Sequence, residues 1–396
     1  MSLSHPNVEA FHDPDTGTVT YLVTDPATNH AAVIDPVLDY DPKSARTSTR
    51  AAEAVIARIR AQGPTIDWLL ETHVHADHLS AMPYVKLGVG GRSGIGVHID
   101  AVQRAFKDIF GFDRAFHADG SQFDYLFADG EHFRLGAIEA QVLLTPGHTP
   151  ACVSCLIGDA LFVGDTLFMP DSGTARCDFP GGDAATLYRS IRRLLALPAE
   201  TRMFICHDYR PGGRPAAWET TVAEQRAHNI HIYDGVTEAE FVALRTARDR
   251  ALTMPVLIIP ALQVNIRAGE LPAPSQEWCA LPAGADRRAV TLACCARARH
   301  ATPQAGSGKR RQACTPCIAS LSNLTRSNRQ GHSVLSWRTA LMAMCRCAEK
   351  WSNAWAGVNP RRRMRVSAVL RKAVSTWGAA PVRIRPRSSP RATSRT

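Results

Sequence analysis

What this 396-residue sequence lacks narrows the reading first. The amino end, MSLSHPNVEAFHDPDTG, has no basic stretch leading into an apolar one, and nowhere do about 18 consecutive apolar residues occur. Neither a secretion signal nor a membrane-spanning helix is expected, which leaves a cytoplasmic enzyme with no membrane partner. Cys152, Cys155, Cys177 and Cys206 show no disulfide-scaffold spacing, in keeping with a reducing compartment. Residues 276–396 contain no Phe and no Tyr, although the chain has 13 and 7 of them, and they hold 7 of the 11 Cys.

Charge divides at the same place. The net +10 combines residues 1–275, with 33 acidic and 23 basic side chains, and residues 276–396, with 23 basic side chains against Glu277, Asp286 and Glu349. Leu, Ile, Val and Phe supply only 16 of those last 121 residues, too few for a packed core at such a charge. The expected organisation is a catalytic domain over 1–275 and a disordered, basic, low-order tail over 276–396. Out-of-frame translation from near codon 275 of a GC-rich gene accounts for that composition. The competing reading is a genuine nucleic-acid-binding extension, with RRQACTPC and NPRRRMRV as basic segments and Cys294, Cys295, Cys314, Cys317, Cys345 and Cys347 as zinc ligands. Their CC, CxxC and CxC spacings match no strong zinc template, which disfavours nucleic acid as a partner.

Within the first 275 residues, VTYLVT (19–24) and AAVID (31–35) read as a hairpin, followed by a helix from Ser48 to about Ala61 with Ala51, Val55, Ile56 and Ile59 on one face. IDWLLET is a strand and LSAMPYVKLG a helical stretch. GIGVHI is a strand, DAVQRAFKDIFG a helix, and HFRLGAIEAQVLLT two strands around Gly136. ACVSCLIG, ALFVGDT and RMFICHD are further strands. Helices are expected from Asp183 to Leu197, Thr220 to His228 and Thr237 to Leu252. Two sets of strands, each followed by helices, predict two sheets packed face to face with helices outside.

The decisive pattern is His73, His75, Asp77 and His78 in THVHADH, joined by His148 in TPGHT, Asp165 in VGDT and His207 in CHDY. Imidazole nitrogen and carboxylate oxygen are ligands for zinc or ferrous iron. One HxH in a loop is commonly surface decoration, and one Asp after a strand is often a helix cap. Seven such residues recurring after four separate strands predict a metal site. Cys152 and Cys155 alternate into an apolar strand and read as core thiols, whereas Cys177 and Cys206 lie nearer the site.

In order and spacing these seven residues resemble the signature of the metallo-β-lactamase superfamily, over about residues 8–274. The resemblance implies an α/β fold, an αββα four-layer sandwich with the metal site at one edge. Longer stretches, among them ETHVHADHLSAMPYVK, GDTLFMPDSGTARCDFPGGDAATLYRSI and PALQVNIRAG, resemble its persulfide dioxygenase branch, including the bacterial β-lactamase-related hydrolase type. That branch implies one Fe(II) per chain on His73, His148 and Asp165. His75, Asp77, His78 and His207 then form a surrounding shell or a second metal site. The implied reaction oxidises glutathione persulfide with O2 to sulfite and glutathione, and a homodimer is an allowed assembly. Arg176, Tyr209 and Arg214 are the candidates for binding the glutathione carboxylates. The sequence departs from the branch at Ser172, where Tyr is common, and at Ala268, where mitochondrial members carry Cys. The alternative is a glyoxalase II-like thioester hydrolase with two Zn(II), although Val74 stands where that enzyme carries His in its THHHxDH motif, Ala76 occupying the variable position.

Overall fold

The structure is a computed structural model that describes residues 5–110, 112 and 115–272. All expectations for residues 276–396, from disorder to zinc-binding cysteines, an out-of-frame origin and nucleic-acid binding, lie outside the described residues.

The first half contains strands β1 (Asn7–His12), β2 (Val19–Thr24), β3 (His30–Ile34), β4 (Val37–Asp41) and β5 (Arg46–Ser48), then helix α1 (Arg50–Gln62) and β6 (Thr65–Leu70). It continues through β7 (Leu79–Ser80), α2 (Met82–Val89), β8 (Arg92–Gly96), α3 (Ile99–Phe110) and β9 (Tyr125–Phe127). The second half holds β10 (His132–Leu135), β11 (Ile138–Leu144), β12 (Val153–Ile157), β13 (Ala160–Phe162), α4 (Ala184–Leu194), β14 (Arg202–Phe204) and β15 (Glu219–Thr221). Helices α5 (Val222–His228), α6 (Glu238–Asp249) and α7 (Ile258–Asn265) follow.

The strands form a sheet of order β1-β2-β3-β6-β8-β9, a second of order β10-β11-β12-β13-β14-β15, and a small third one, β5-β4-β7. Period-two alternation explains the layering. Tyr21, Val23, Ala32, Ile34, Trp68 and Leu70 face the second sheet, where they meet Phe133, Leu135, Val142, Val153, Cys155 and Phe162. Leu161, Met203 and Ile205 point the other way and pack on Leu187, Ile191 and Leu194 of α4 and Phe241 of α6. On the outer side of the first sheet, α1 buries Ala52, Val55, Ile56 and Ile59. The αββα sandwich expected from the sequence is therefore present, and no helix among the described residues is long and apolar enough to cross a membrane.

Several elements differ from the sequence reading. LSAMPYVKLG divides into β7 and α2, and the helix expected from Thr220 starts at Val222, because Glu219–Thr221 pairs with β14 instead. Strands β1, β4, β5 and β9 and helix α7 were not anticipated. β1 is a half-buried edge strand without clean alternation. α7 carries Pro260, which reads as a breaker but sits in the first turn, where a missing N–H is tolerated.

A candidate metal centre at one edge of the sandwich

The strand ends bring the chemistry together. β3, β6, β13 and β14 deliver Asp35, the THVHADH loop, Asp165 and His207 from their carboxyl ends, and the loop after β11 brings His148. Here the two sheets are stitched to each other, Val19 N–H donating to the Cys206 carbonyl at 2.7 Å. Two glycines allow close approach. Gly147 has φ +136° and no room for a Cβ, which would fall 2.4 Å from the Leu187 backbone. Gly164, at φ +54°, lets the Asp165 turn press on Thr72, whose Oγ1 would lie 2.7 Å from a Cβ.

His73, His148 and Asp165 are buried and converge. His73 Nε2 and His148 Nε2 each lie 3.8 Å from Asp165 Oδ2. Donors at about 2.1 Å from one tetrahedral ion stand roughly 3.4 Å apart, so this set is slightly open but of the right size. The hydrogen bonds fix the tautomers. Thr72 Oγ1 gives its hydrogen to Asp35 Oδ2 at 2.8 Å and therefore accepts from His73 Nδ1, 3.0 Å away. His148 Nδ1 donates to the Arg176 carbonyl at 2.7 Å. Both Nε2 lone pairs thus face a carboxylate oxygen with no proton between. Burial, aided by neighbouring imidazoles, holds the His73 pKa well below its ordinary value; burial also lowers that of His148, despite Asp165. Two neutral imidazoles and a carboxylate directed at one point fit a divalent metal ion.

Asp165 also belongs to a second set. Its Oδ1 accepts from His207 Nδ1 at 2.6 Å, and His207 Nε2 lies 3.0 Å from Asp77 Oδ2 and 2.9 Å from Thr18 Oγ1. Burial alone would lower the His207 pKa, but Asp165 and Asp77 on either side raise it well above the usual value. His78 carries a pKa pushed down to about 3 by burial and by His75, and its Nε2 has no hydrogen-bond partner; Asp77 Oδ1 is likewise unpartnered. His75 turns its Nε2 toward Asp35 Oδ1 at 3.1 Å and Glu71 Oε2 at 3.2 Å. Burial disfavours its charged form, but Asp35 raises its pKa well above the ordinary value.

The other expected residues are placed as follows. Arg176 is paired with Asp178 at 2.6 and 2.8 Å and donates to the Thr253 carbonyl at 2.7 Å. Arg214 is clamped between Asp171 and Asp208 by four contacts of 2.5 to 2.8 Å. Neither guanidinium is an open cation, the charge complement having come from within the chain. Tyr209 is 56% exposed, its ring stacked on His207 at 5.9 Å and edge-on to Phe168 at 5.5 Å. Cys152 and Cys155 are core thiols as expected, pushed up to about 12 by burial. Cys177 and Cys206 are buried too, and their thiols are also raised by burial.

Sequence reasoning missed the residues that hold the loop. Asp35 receives Thr72 N–H at 2.8 Å, and Asn265 donates to the carbonyls of His75 and His78 at 2.9 and 2.8 Å while accepting Ser80 N–H at 2.8 Å. The carboxylate ending the apolar run AAVID was the available signal for Asp35. Asn265 had none beyond its place in PALQVNIRAG.

A sandwich with clustered histidines and a shared carboxylate at its edge defines a metal-binding α/β enzyme. The model of the metallo-β-lactamase superfamily matches residues 13–207. A probable metallo-hydrolase of Burkholderia pseudomallei is 55% identical over 277 residues, covering 67% of this chain and 94% of that protein. The chain therefore belongs to the metallo-β-lactamase superfamily. A protein named glyoxylase B2 of Dictyostelium discoideum is 48% identical, covering 67% of this chain and 91% of its own. The mitochondrial persulfide dioxygenase of Homo sapiens is 28% identical, covering 65% and 86%. The crystal structure of ETHE1 from Myxococcus xanthus aligns with a TM-score of 0.53 at 29% identity, over 67% of this chain and all of that one. These likenesses bear out the superfamily, and they back a hydrolase more strongly than the dioxygenase expected from the sequence.

Proposed function

We propose that this chain is a metal-dependent hydrolase of glutathione thioesters, converting an acyl-glutathione and water to a carboxylate, glutathione and a proton. The observation that carries this reading is the division of Asp165, whose Oδ2 faces His73 and His148 while Oδ1 faces His207. One carboxylate between two donor sets is suited to two adjacent ions, the first on His73, His148 and Asp165, the second on Asp165, Asp77, His78 and His207. The higher identity to the metallo-hydrolase and to glyoxylase B2 supports it. Such ions supply an activated water at neutral pH and polarise a carbonyl. The chain's own residues aim the ligands: Asp35 through Thr72 for His73, and the Arg176 carbonyl for His148. Tyr209 stands exposed against His207 with the buried Phe168 at its edge, and its hydroxyl is the donor most ready for glutathione. Arg176 and Arg214 reach its carboxylates only by exchanging their present partners.

A second reading keeps the iron-dependent persulfide dioxygenase, in which glutathione persulfide, O2 and water give glutathione, sulfite and two protons. It is favoured by His207, whose two ring nitrogens are both occupied, and by His75, turned to Asp35, so that His73, His148 and Asp165 stand as a self-contained two-histidine, one-carboxylate set. Ferrous iron there would supply the redox capacity. Metal analysis of the purified protein, with thioester cleavage and persulfide-dependent oxygen uptake measured side by side, separates the two. Paired metal with cleavage and no uptake supports the hydrolase. One iron per chain with oxygen consumption and no cleavage overturns it in favour of the dioxygenase.

A further inference from the structure

Arg245 and Asp249, one turn apart on α6, form a buried ion pair that neither reading above uses, Arg245 being only 1% exposed. The Arg245 Nε and one terminal nitrogen lie 2.9 and 2.7 Å from Asp249 Oδ1. Asp249 Oδ2 is turned the other way and accepts the Cys177 N–H at 2.9 Å. Replacing a buried ion pair by apolar side chains is often neutral for stability, so its presence here calls for a second reason.

The N–H of Cys177 and the carbonyl of Arg176 belong to one peptide group, and that carbonyl accepts from His148 Nδ1 at 2.7 Å. A single planar, polarisable unit thus stands between the Asp249 carboxylate and the His148 ring. On the other flank of Arg176, Arg245 donates to the Thr174 carbonyl at 2.9 Å, and the Thr174 N–H donates to His231 Nδ1 at 3.0 Å. The segment is therefore pinned on both sides of residue 176. Gly182 lets it lie close against the His148 loop, since a Cβ there would fall 2.4 Å from the Cys177 carbonyl oxygen and 3.0 Å from that of His148. Hydrogen bonds to an ionised group are the stronger kind, and bonds in series polarise one another. An N–H drawn toward a carboxylate leaves its own carbonyl oxygen more negative and a better acceptor.

We propose that Asp249, fixed by Arg245, is a positioning residue for the first metal position. Its charge acts through the peptide between Arg176 and Cys177 to strengthen the Nδ1–H bond of His148, which makes His148 Nε2 a better donor to the ion. Metal-bound imidazoles commonly gain basicity from a carboxylate on their other nitrogen, and here one peptide group is interposed. His73, oriented by Asp35 through Thr72, lies outside this relay. The proposal rests on His148 as a metal ligand, which both readings share, and it gives α6 control over metal affinity.

The test uses the full chain, with the seven cysteines beyond Ser275 replaced by serine so that they do not compete for metal, and nitrogen-15 in its histidines and cysteines. With Asp249 intact, nuclear magnetic resonance should show the first equivalent of zinc shifting both the His148 ring signals and the Cys177 amide. A shift at His148 without one at Cys177 overturns the relay alone, and a shift at neither overturns it together with the ligand assignment. Asp249→Asn keeps the shape and removes the charge. Zinc binding, read by chelator competition, should weaken by about 10-fold. The His148 Nδ1 proton should move upfield while that of His73 stays in place. Gln225→Leu is the control, because Gln225 holds the neighbouring Phe168 carbonyl at 2.8 Å without touching the 176–177 peptide. It should lower the melting temperature and leave zinc affinity and the His148 proton unchanged. Equal loss of affinity in both variants, or wild-type affinity in Asp249→Asn, reduces Asp249 to a structural role and overturns the proposal. No readout uses turnover, so the relay and thioester hydrolysis stand or fall separately.

Discussion

The side-chain amide of Asn265, on the last helix described, donates to the carbonyl of His75, 190 residues earlier, at 2.9 Å. The same nitrogen reaches the His78 carbonyl and its oxygen holds Ser80 N–H, so α7 clasps the ligand loop by three bonds. Asn265→Ala leaves three buried backbone groups unpaired. The expected cost is about 2–4 kcal/mol, read as a lower melting temperature, together with reduced metal content after purification. Unchanged melting and full metal loading would show that the loop holds its shape without α7.

Asp35 orients His73 through Thr72 and pairs directly with His75. Asp35→Asn keeps the shape but removes the charge, so metal affinity should fall by about 10- to 100-fold. Competition against a chromogenic chelator measures this without any substrate.

Arg214 distinguishes a structural pair from a substrate contact. Burial would raise the Asp208 pKa, but Arg214 and two backbone N–H groups hold it below the usual carboxylate value, and Arg214 also holds Asp171 down. A depressed folded-state pKa stabilises the protein above the unfolded value of about 4, and this stability is lost as pH falls through the lower folded value. Arg214→Gln should therefore destabilise near neutral pH and move the onset of acid unfolding to higher pH, as followed by circular dichroism. A variant with wild-type melting but a raised KM would instead make Arg214 a substrate residue.

Tyr209 stands more than half exposed beside His207, and its stacking on that ring does not involve the hydroxyl. Tyr209→Phe should raise KM several-fold for a glutathione substrate while leaving melting within about 0.5 kcal/mol of wild type. An unaltered KM would remove the hydroxyl from the binding site.

Truncation after Ser275 retains every core cluster and hydrogen bond described, α7 included. Metal content and melting should match the full chain. Resequencing of the locus tests the origin of residues 276–396 independently: a second frame with a short ending resembling the superfamily supports out-of-frame translation, and an intact frame with the full mature mass rules it out.

Periodic and chemically conspicuous features were legible in the sequence. Leu187, Ile191 and Leu194 announce the buried face of α4, and the four motifs THVHADH, TPGHT, VGDT and CHDY announce the candidate ligands. What escaped was held by tertiary context. β15 spans three residues whose own pattern is ambiguous, and its pairing with β14 decides its conformation. Arg176 and Arg214 read equally as substrate contacts or as internal salt bridges, and only the fold shows the salt bridges, Arg176 with Asp178 two residues on and Arg214 with Asp208 six and Asp171 43 residues away.

By itself the sequence pointed to two strand sets with helices and a metal site on strand ends, because alternation, helical period and ligand residue types are local properties of the chain. The division of Asp165 between two donor sets and the turn of His75 toward Asp35 were decided only in three dimensions. Each depends on the direction of a side chain at the meeting of segments far apart in the chain, and packing sets that direction where spacing along the sequence does not.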